Sequence, residues 1–115
     1  MKHLRKGKKL SRKKDQRNAL KKALVTALFL RGRITTTLTK AKATTPIAEK
    51  FITKAKSPDL AVRRNILQGL SPRVTSKLIK DIAPRYSSRS GGYTRIIRIG
   101  VRKSDAAPMV ILELI

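Results

Sequence analysis

The chain has 115 residues, 29 of them Lys or Arg and 6 Asp or Glu, which gives a formal net charge of +23 with the single His3 neutral. Like charge at that density opposes a compact state unless a polyanion is bound nearly all the time. The length allows one domain; zero Cys excludes disulfides, thiol nucleophiles and Cys-based metal sites, and one His with six scattered acids predicts no metal and no cofactor.

Residues 1–14 carry eight cations, Lys2, Arg5, Lys6, Lys8, Lys9, Arg12, Lys13 and Lys14, and no acid. Such a stretch cannot bury enough apolar surface to offset its chain entropy. The sequence therefore predicts a basic N-terminal arm over 1–14, mobile when free and ordered on a polyanion, ahead of one domain over 15–115. Asp15 is placed to cap a first helix with apolar Ala19, Leu20, Ala23, Leu24, Ala27, Leu28 and Leu30 on one face. Gly32 suits the left-handed position that ends it. The run Ala23–Leu30 after a basic start resembles a secretory signal, but Arg31-Gly32-Arg33 follows with no small-residue cleavage site. No run approaches the ~20 apolar residues of a membrane span.

Arg33-Ile34-Thr35-Thr36-Thr37 is β-branched and reads as a strand. A second helix follows with Leu38, Ala41, Thr45, Ala48, Phe51 or Ile52, and Ala55 in register, and Pro46 should kink or break it. Ser57-Pro58-Asp59 reads as a helix start capped by Ser57, with Leu60, Ile66 and Leu67 as the apolar positions. Ser71-Pro72 repeats the device, Val74, Leu78 and Ile82 form a stripe, and Ala83-Pro84 should end that helix. Tyr93 to Val101 reads as a strand, with both faces covered because Ile96 and Ile97 point opposite ways. A basic loop joins it to a last strand on which Val110, Leu112 and Leu114 share a face. The expected architecture is α+β: about four helices packed with a small sheet of about three strands, plus the arm.

The arm is the strongest chemical signal. Closely spaced cations match phosphate spacing and bind by counterion release. Its residues, with His3 as a stacking or phosphate contact and Arg17 just beyond, are candidate RNA contacts. A second basic stretch holds Arg85, Arg89, Arg95, Arg98, Arg102 and Lys103, interleaved with Tyr86 and Tyr93. Arginine forks grip phosphates and tyrosine rings can stack on unpaired bases; each tyrosine alternatively reads as a core-edge ring with a satisfied hydroxyl. Lys40 and Lys42, with Lys50, Lys54 and Lys56, flank the second helix, and taken alone read as an exposed helical face.

Enzyme chemistry finds no support. Gly91-Gly92 lacks the residues of a phosphate-cradling loop. The acids stand singly: Asp15 and Asp59 suit helix starts, and Glu113 suits a buried partner for an arginine. No catalytic residue or small-molecule substrate is expected. A basic amphipathic helix on a membrane is set aside because its apolar face is needed by the core. The alternative binding reading is a general nucleic-acid protein that compacts DNA.

The ordered string of residues resembles the bacterial large-subunit ribosomal proteins of family seventeen. It begins with Met1-Lys2-His3 and Arg5-Lys6-Gly7-Lys8-Lys9-Leu10, then Arg33-Ile34-Thr35-Thr36-Thr37-Leu38 and Lys40-Ala41-Lys42. It continues through Glu49-Lys50, Ile52-Thr53 and Ala55-Lys56. It is most specific in Ala83-Pro84-Arg85-Tyr86, Gly91-Gly92-Tyr93-Thr94-Arg95-Ile96, Asp105-Ala106-Ala107-Pro108-Met109 and Glu113-Leu114. Pro46 departs from the family's second helix. The resemblance implies a cytoplasmic, non-enzymatic component of the ribosome that binds 23S rRNA near the rim of the peptide exit tunnel and contacts large-subunit protein 32. It implies rRNA contacts in the arm, in the Thr35–Lys42 region (Thr36, Lys40 and Lys42) and in Arg85–Lys103, including Tyr93.

Overall fold

The computed structural model describes Leu10 and residues 13–115. The arm expected over 1–14 thus lies outside the described residues, except at Leu10, Lys13 and Lys14. The element order is α1 (Lys14–Arg31), β1 (Arg33–Thr37), α2 (Leu38–Ala55), α3 (Leu60–Leu67), α4 (Pro72–Lys77) with its continuation, β2 (Thr94–Val101) and β3 (Pro108–Leu114). The α+β expectation holds: among the described residues, four helices pack on one antiparallel sheet of order β1-β3-β2.

Helix α1 is capped differently from the expectation. Lys13 holds the cap position with no side-chain bond, and Asp15 lies in the first turn, where its charge favours the positive helix end. The core-facing residues are Val25, Leu28 and Phe29, whereas Ala19 and Ala23 are exposed. The buried stripe is rotated because Phe29 packs edge-on against Phe51 of α2, with ring centroids 6.4 Å apart. No residue in the first half of α1 is fully buried, although Arg17, Leu20 and Lys21 are half-buried.

Gly32 ends α1 with φ 82°, and its N–H donates to the Leu28 carbonyl at 2.7 Å. Its own carbonyl accepts from the Leu114 N–H at 2.9 Å, which fixes the turn into the sheet. A Cβ there would meet no atom within 4 Å. Gly32→Ala is therefore expected to cost only the left-handed backbone penalty, about 1–2 kcal/mol, read as a lowered urea midpoint at unchanged slope. An unchanged midpoint would contradict the assignment.

Thr37 caps α2, its hydroxyl accepting from the Lys40 N–H at 3.4 Å. Pro46 does not break α2, which runs unbroken for 18 residues. Pro46 and Lys42 both lie on the exposed side, so the carbonyl left without a donor can face water. Helix α3 begins two residues later than expected. Asp59, not Ser57, is the cap, its carboxylate accepting from the Val62 N–H at 2.8 Å. Ser71 caps α4 as expected, with Pro72 at the first position.

Ala83-Pro84 does not end the fourth helix. A π-helical turn over Leu78–Ile82 carries it into α5 (Ala83–Arg85), and the Ala83 N–H reaches back five residues to the Leu78 carbonyl. The wider turn makes room for a proline ring that would crowd an α-helical carbonyl. Val74, Leu78 and Ile82 are all buried through it.

The β1–β3 register pairs Ile34 with Leu112 and Thr36 with Val110; the β2–β3 register pairs Ile96 with Leu112 and Arg98 with Val110. Val110 and Leu112 thus lie on the helix-facing side of the sheet and are fully buried in one core cluster with Ile52 and Ile66. The far end of β2 is not covered on both faces: Ile97, Ile99 and Val101 are exposed. No helix passes over that part of the hairpin among the described residues.

Candidate nucleic-acid interface

Two distant stretches of sequence meet at one end of the sheet. Thr37, Met109 and Gly100 form one row across the three strands. Helix α2 starts directly after Thr37 and carries Lys40 and Lys42 in its first turns, with no acid there. From Gly100 the chain runs through Val101 into the loop that holds Arg102 and Lys103. The positive end of the α2 dipole adds to these cations. Lys42, Arg98, Arg102 and Lys103 are exposed and Lys40 is half-buried.

The arginines differ in how far they are already engaged. Arg85 pairs with Asp81 at 3.4 Å one helical turn earlier. Arg95 pairs with Glu113, the residue opposite it on β3, as the strand position of Glu113 led one to expect. Arg102 grips Asp105 with both ends of its fork, at 2.9 and 2.7 Å. Arg98 and Lys103 make no ion pair among the described residues. Arg89 is exposed, and its carbonyl accepts from the Lys56 ammonium. Lys13 and Lys14 are exposed and Arg17 is half-buried near the start of α1. Lys2, His3, Arg5, Lys6, Lys8, Lys9 and Arg12 lie outside the described residues.

Two expected contacts are not available at the surface. Thr36 is 8% exposed because its side chain shares the core-facing side of the sheet with Val110. Tyr93 is 1% exposed, so its ring cannot stack on a base. It lies 5.2 Å from the Tyr86 ring, and the Tyr86 hydroxyl donates to the Ile115 carbonyl at 2.7 Å. Both tyrosines are core-edge rings with satisfied hydroxyls. The Tyr93 hydroxyl contacts Thr53 Oγ1 at 3.3 Å and receives a bond from Lys56 Nζ at 3.2 Å. The Thr53 bond, followed by Lys56, lowers the Tyr93 pKa, whereas burial raises that of Tyr86.

Sequence reasoning missed the stripe that positions this region. Glu49, Thr53 and Lys56 recur on one side of α2. Glu49 Oε2 accepts from the Tyr93 N–H at 2.8 Å and the Thr94 hydroxyl at 3.4 Å, so α2 holds the start of β2. The spacing was readable; its partner was not. Five of the six acids thereby have internal partners: Glu49, Asp59, Asp81, Asp105 and Glu113.

The Asp105 carboxyl is held down at about 2, against an ordinary 3.8, first by the Arg102 hydrogen bond and then by the Ala107 N–H. A carboxyl lowered on folding supports its loop fully above 3.8 and stops doing so as pH falls through about 2. Both side chains are about half exposed, so the effect is local. An NMR titration should show the Asp105 carboxyl and the Ala107 amide shifting together near pH 2; a midpoint at the ordinary value would contradict the pairing.

Among the described residues no cluster of His, Cys, Asp and Glu could hold a metal ion, and no helix is long and apolar enough to cross a membrane. The arrangement offers fixed cations on a rigid end of a sheet.

Comparison with known proteins agrees in kind. The sequence pattern of a family described as "Ribosomal protein L17" matches residues 20–115. The "Large ribosomal subunit protein bL17" of Symbiobacterium thermophilum is 56% identical over 108 residues, covering 93% of this chain and 96% of that protein. The proteins of the same name from Clostridium acetobutylicum and Clostridium botulinum are each 49% identical over 108 residues, covering 93% of this chain and 95% and 96% of theirs. With most of both chains aligned at that identity, this chain belongs to the ribosomal protein L17 family.

Proposed function

We propose that this chain is a structural, non-enzymatic constituent of the large ribosomal subunit that binds 23S rRNA. Its phosphate contacts come from the basic arm, from Lys40 and Lys42, and from the Arg85–Lys103 region, with Arg98 and Lys103 as the unpaired cations of the hairpin. One observation carries this reading: five of the six acids are used inside the fold, which leaves most of the 29 cations uncompensated by carboxylates. A protein embedded in rRNA needs that excess; a free one is destabilised by it. The family resemblance supports the finer location, near the rim of the peptide exit tunnel and beside large-subunit protein 32.

Competition between structured large-subunit rRNA and duplex DNA tests the choice of polyanion. The full chain should prefer the rRNA at physiological salt. Equal affinity for both would favour the DNA-compacting alternative.

A further inference from the structure

The loop Ser87-Ser88-Arg89-Ser90-Gly91-Gly92 has no apolar side chain with which to hold a conformation. All of it but Gly91 is exposed, and Gly91 and Gly92 have positive φ, 106° and 63°. Arg89 is nonetheless held at both main-chain groups. Its N–H donates to the Tyr86 carbonyl at 3.0 Å, and its carbonyl accepts from the Lys56 ammonium. Its guanidinium makes no ion pair among the described residues.

Lys56 is placed to keep that hold. It sits at the C-terminal cap of α2 and is half-buried. Its ammonium also donates to the Tyr93 hydroxyl at 3.2 Å and lies 5.3 Å from the centre of the Tyr93 ring. Tyr93 is itself fixed, buried in the core with its hydroxyl against Thr53 and its N–H on Glu49. An ammonium has three donors, and two of these are used inside the fold. Lys56 thus differs from Lys42 and Lys50 of the same helix, which are exposed. A Ser/Gly loop that becomes ordered only on binding loses affinity to chain entropy, whereas one ordered beforehand does not.

We propose that Lys56 is a positioning residue for rRNA binding: it latches the 87–92 loop to α2 through the Arg89 carbonyl, and so presents the Arg89 guanidinium to a phosphate that Lys56 itself does not touch. The inference deepens the rRNA reading above and rests on it. The test is a double-mutant cycle on the full chain, read by filter binding to a large-subunit rRNA fragment across a salt series. Lys56→Met should lower affinity roughly 10-fold, about as much as Arg89→Ala, and should add nothing in the Arg89→Ala background. The double variant should then keep the salt slope of Arg89→Ala, since one phosphate contact is lost and not two. Tyr93→Phe changes no charge, at a ring too buried to meet RNA. It should act in the same direction, lose its effect once Arg89 is gone, and carry the test if Lys56→Met does not fold. Additive losses, with a slope reduced by about 2 in the double variant, would make Lys56 a phosphate contact in its own right and overturn the proposal. Unchanged affinity in both Lys56→Met and Tyr93→Phe, or an Arg89→Ala without effect, would overturn it too. Binding of the unmodified chain that ignores salt would contradict the rRNA reading instead, so the two failures are distinguishable.

Discussion

Affinity of the full chain for a large-subunit rRNA fragment is expected to fall by ~10³–10⁵ between about 50 and about 200 mM salt, for roughly six to ten phosphate contacts. The cause is counterion release, which scales with the number of phosphates neutralised. The structure sharpens which cations should matter. Lys42, Arg98 and Lys103 are exposed and unpaired among the described residues, so removing one should reduce the salt slope by about 1. Arg102 already holds Asp105 with two hydrogen bonds, so Arg102→Ala also frees a carboxylate to repel phosphate. Its loss should therefore weaken binding by more than its own contact accounts for, and Asp105→Ala should strengthen binding. Filter binding across a salt series measures both. Slopes that ignore Lys42, Arg98 and Lys103 alike would contradict a phosphate role for the sheet end.

The second large effect is on stability. Phe29→Ala is expected to destabilise the fold by about 3–5 kcal/mol, a large share of the roughly 5–15 kcal/mol that holds a domain of this kind together. Phe29 is 1% exposed and sets its ring edge-on to Phe51. Phe51 in turn lies so close over Gly69 that a Cβ there would come within 2.9 Å of its ring. The pair therefore ties α1 to α2, and α2 to the turn between α3 and α4. Leu60→Ala, at a side chain 64% exposed, should change stability by no more than about 0.5 kcal/mol. Chemical denaturation of both variants checks the contrast; equal effects would mean that α1 is not anchored by Phe29.

Much of this arrangement was legible from local chemistry. Gly32, the Thr-rich strand, the Ser71-Pro72 start and the Val110–Leu112–Leu114 face each follow from rules that reach only a few residues along the chain. Some failures were local, such as the Asp59 cap read at Ser57 and the helix that continues through Pro46; others depend on partners far away in sequence. Which threonine of Thr35–Thr37 points inward is decided by pairing with β3, and that register put Thr36 against the helices. The rotation of α1 follows from Phe51, 22 positions from Phe29. Burial of Tyr93 depends on the Glu49–Thr53–Lys56 stripe, whose spacing is visible but whose target is not. Asp81–Arg85 and Arg102–Asp105 were readable as near neighbours, whereas Arg95–Glu113 needed the hairpin register. The π turn before Pro84 had no sequence signal, because proline more often ends a helix than widens it.

Five of the six acids sit inside hydrogen-bonded contacts, which leaves most of the 29 cations uncompensated by carboxylates, as the proposed rRNA role requires. The most direct test of that account is to wash purified large subunits with high salt and ask where the full chain sediments. Retention with the subunit at moderate salt and release as salt rises, in step with the measured slope for the rRNA fragment, is the predicted result. Sedimentation away from the large subunit at low salt would contradict it.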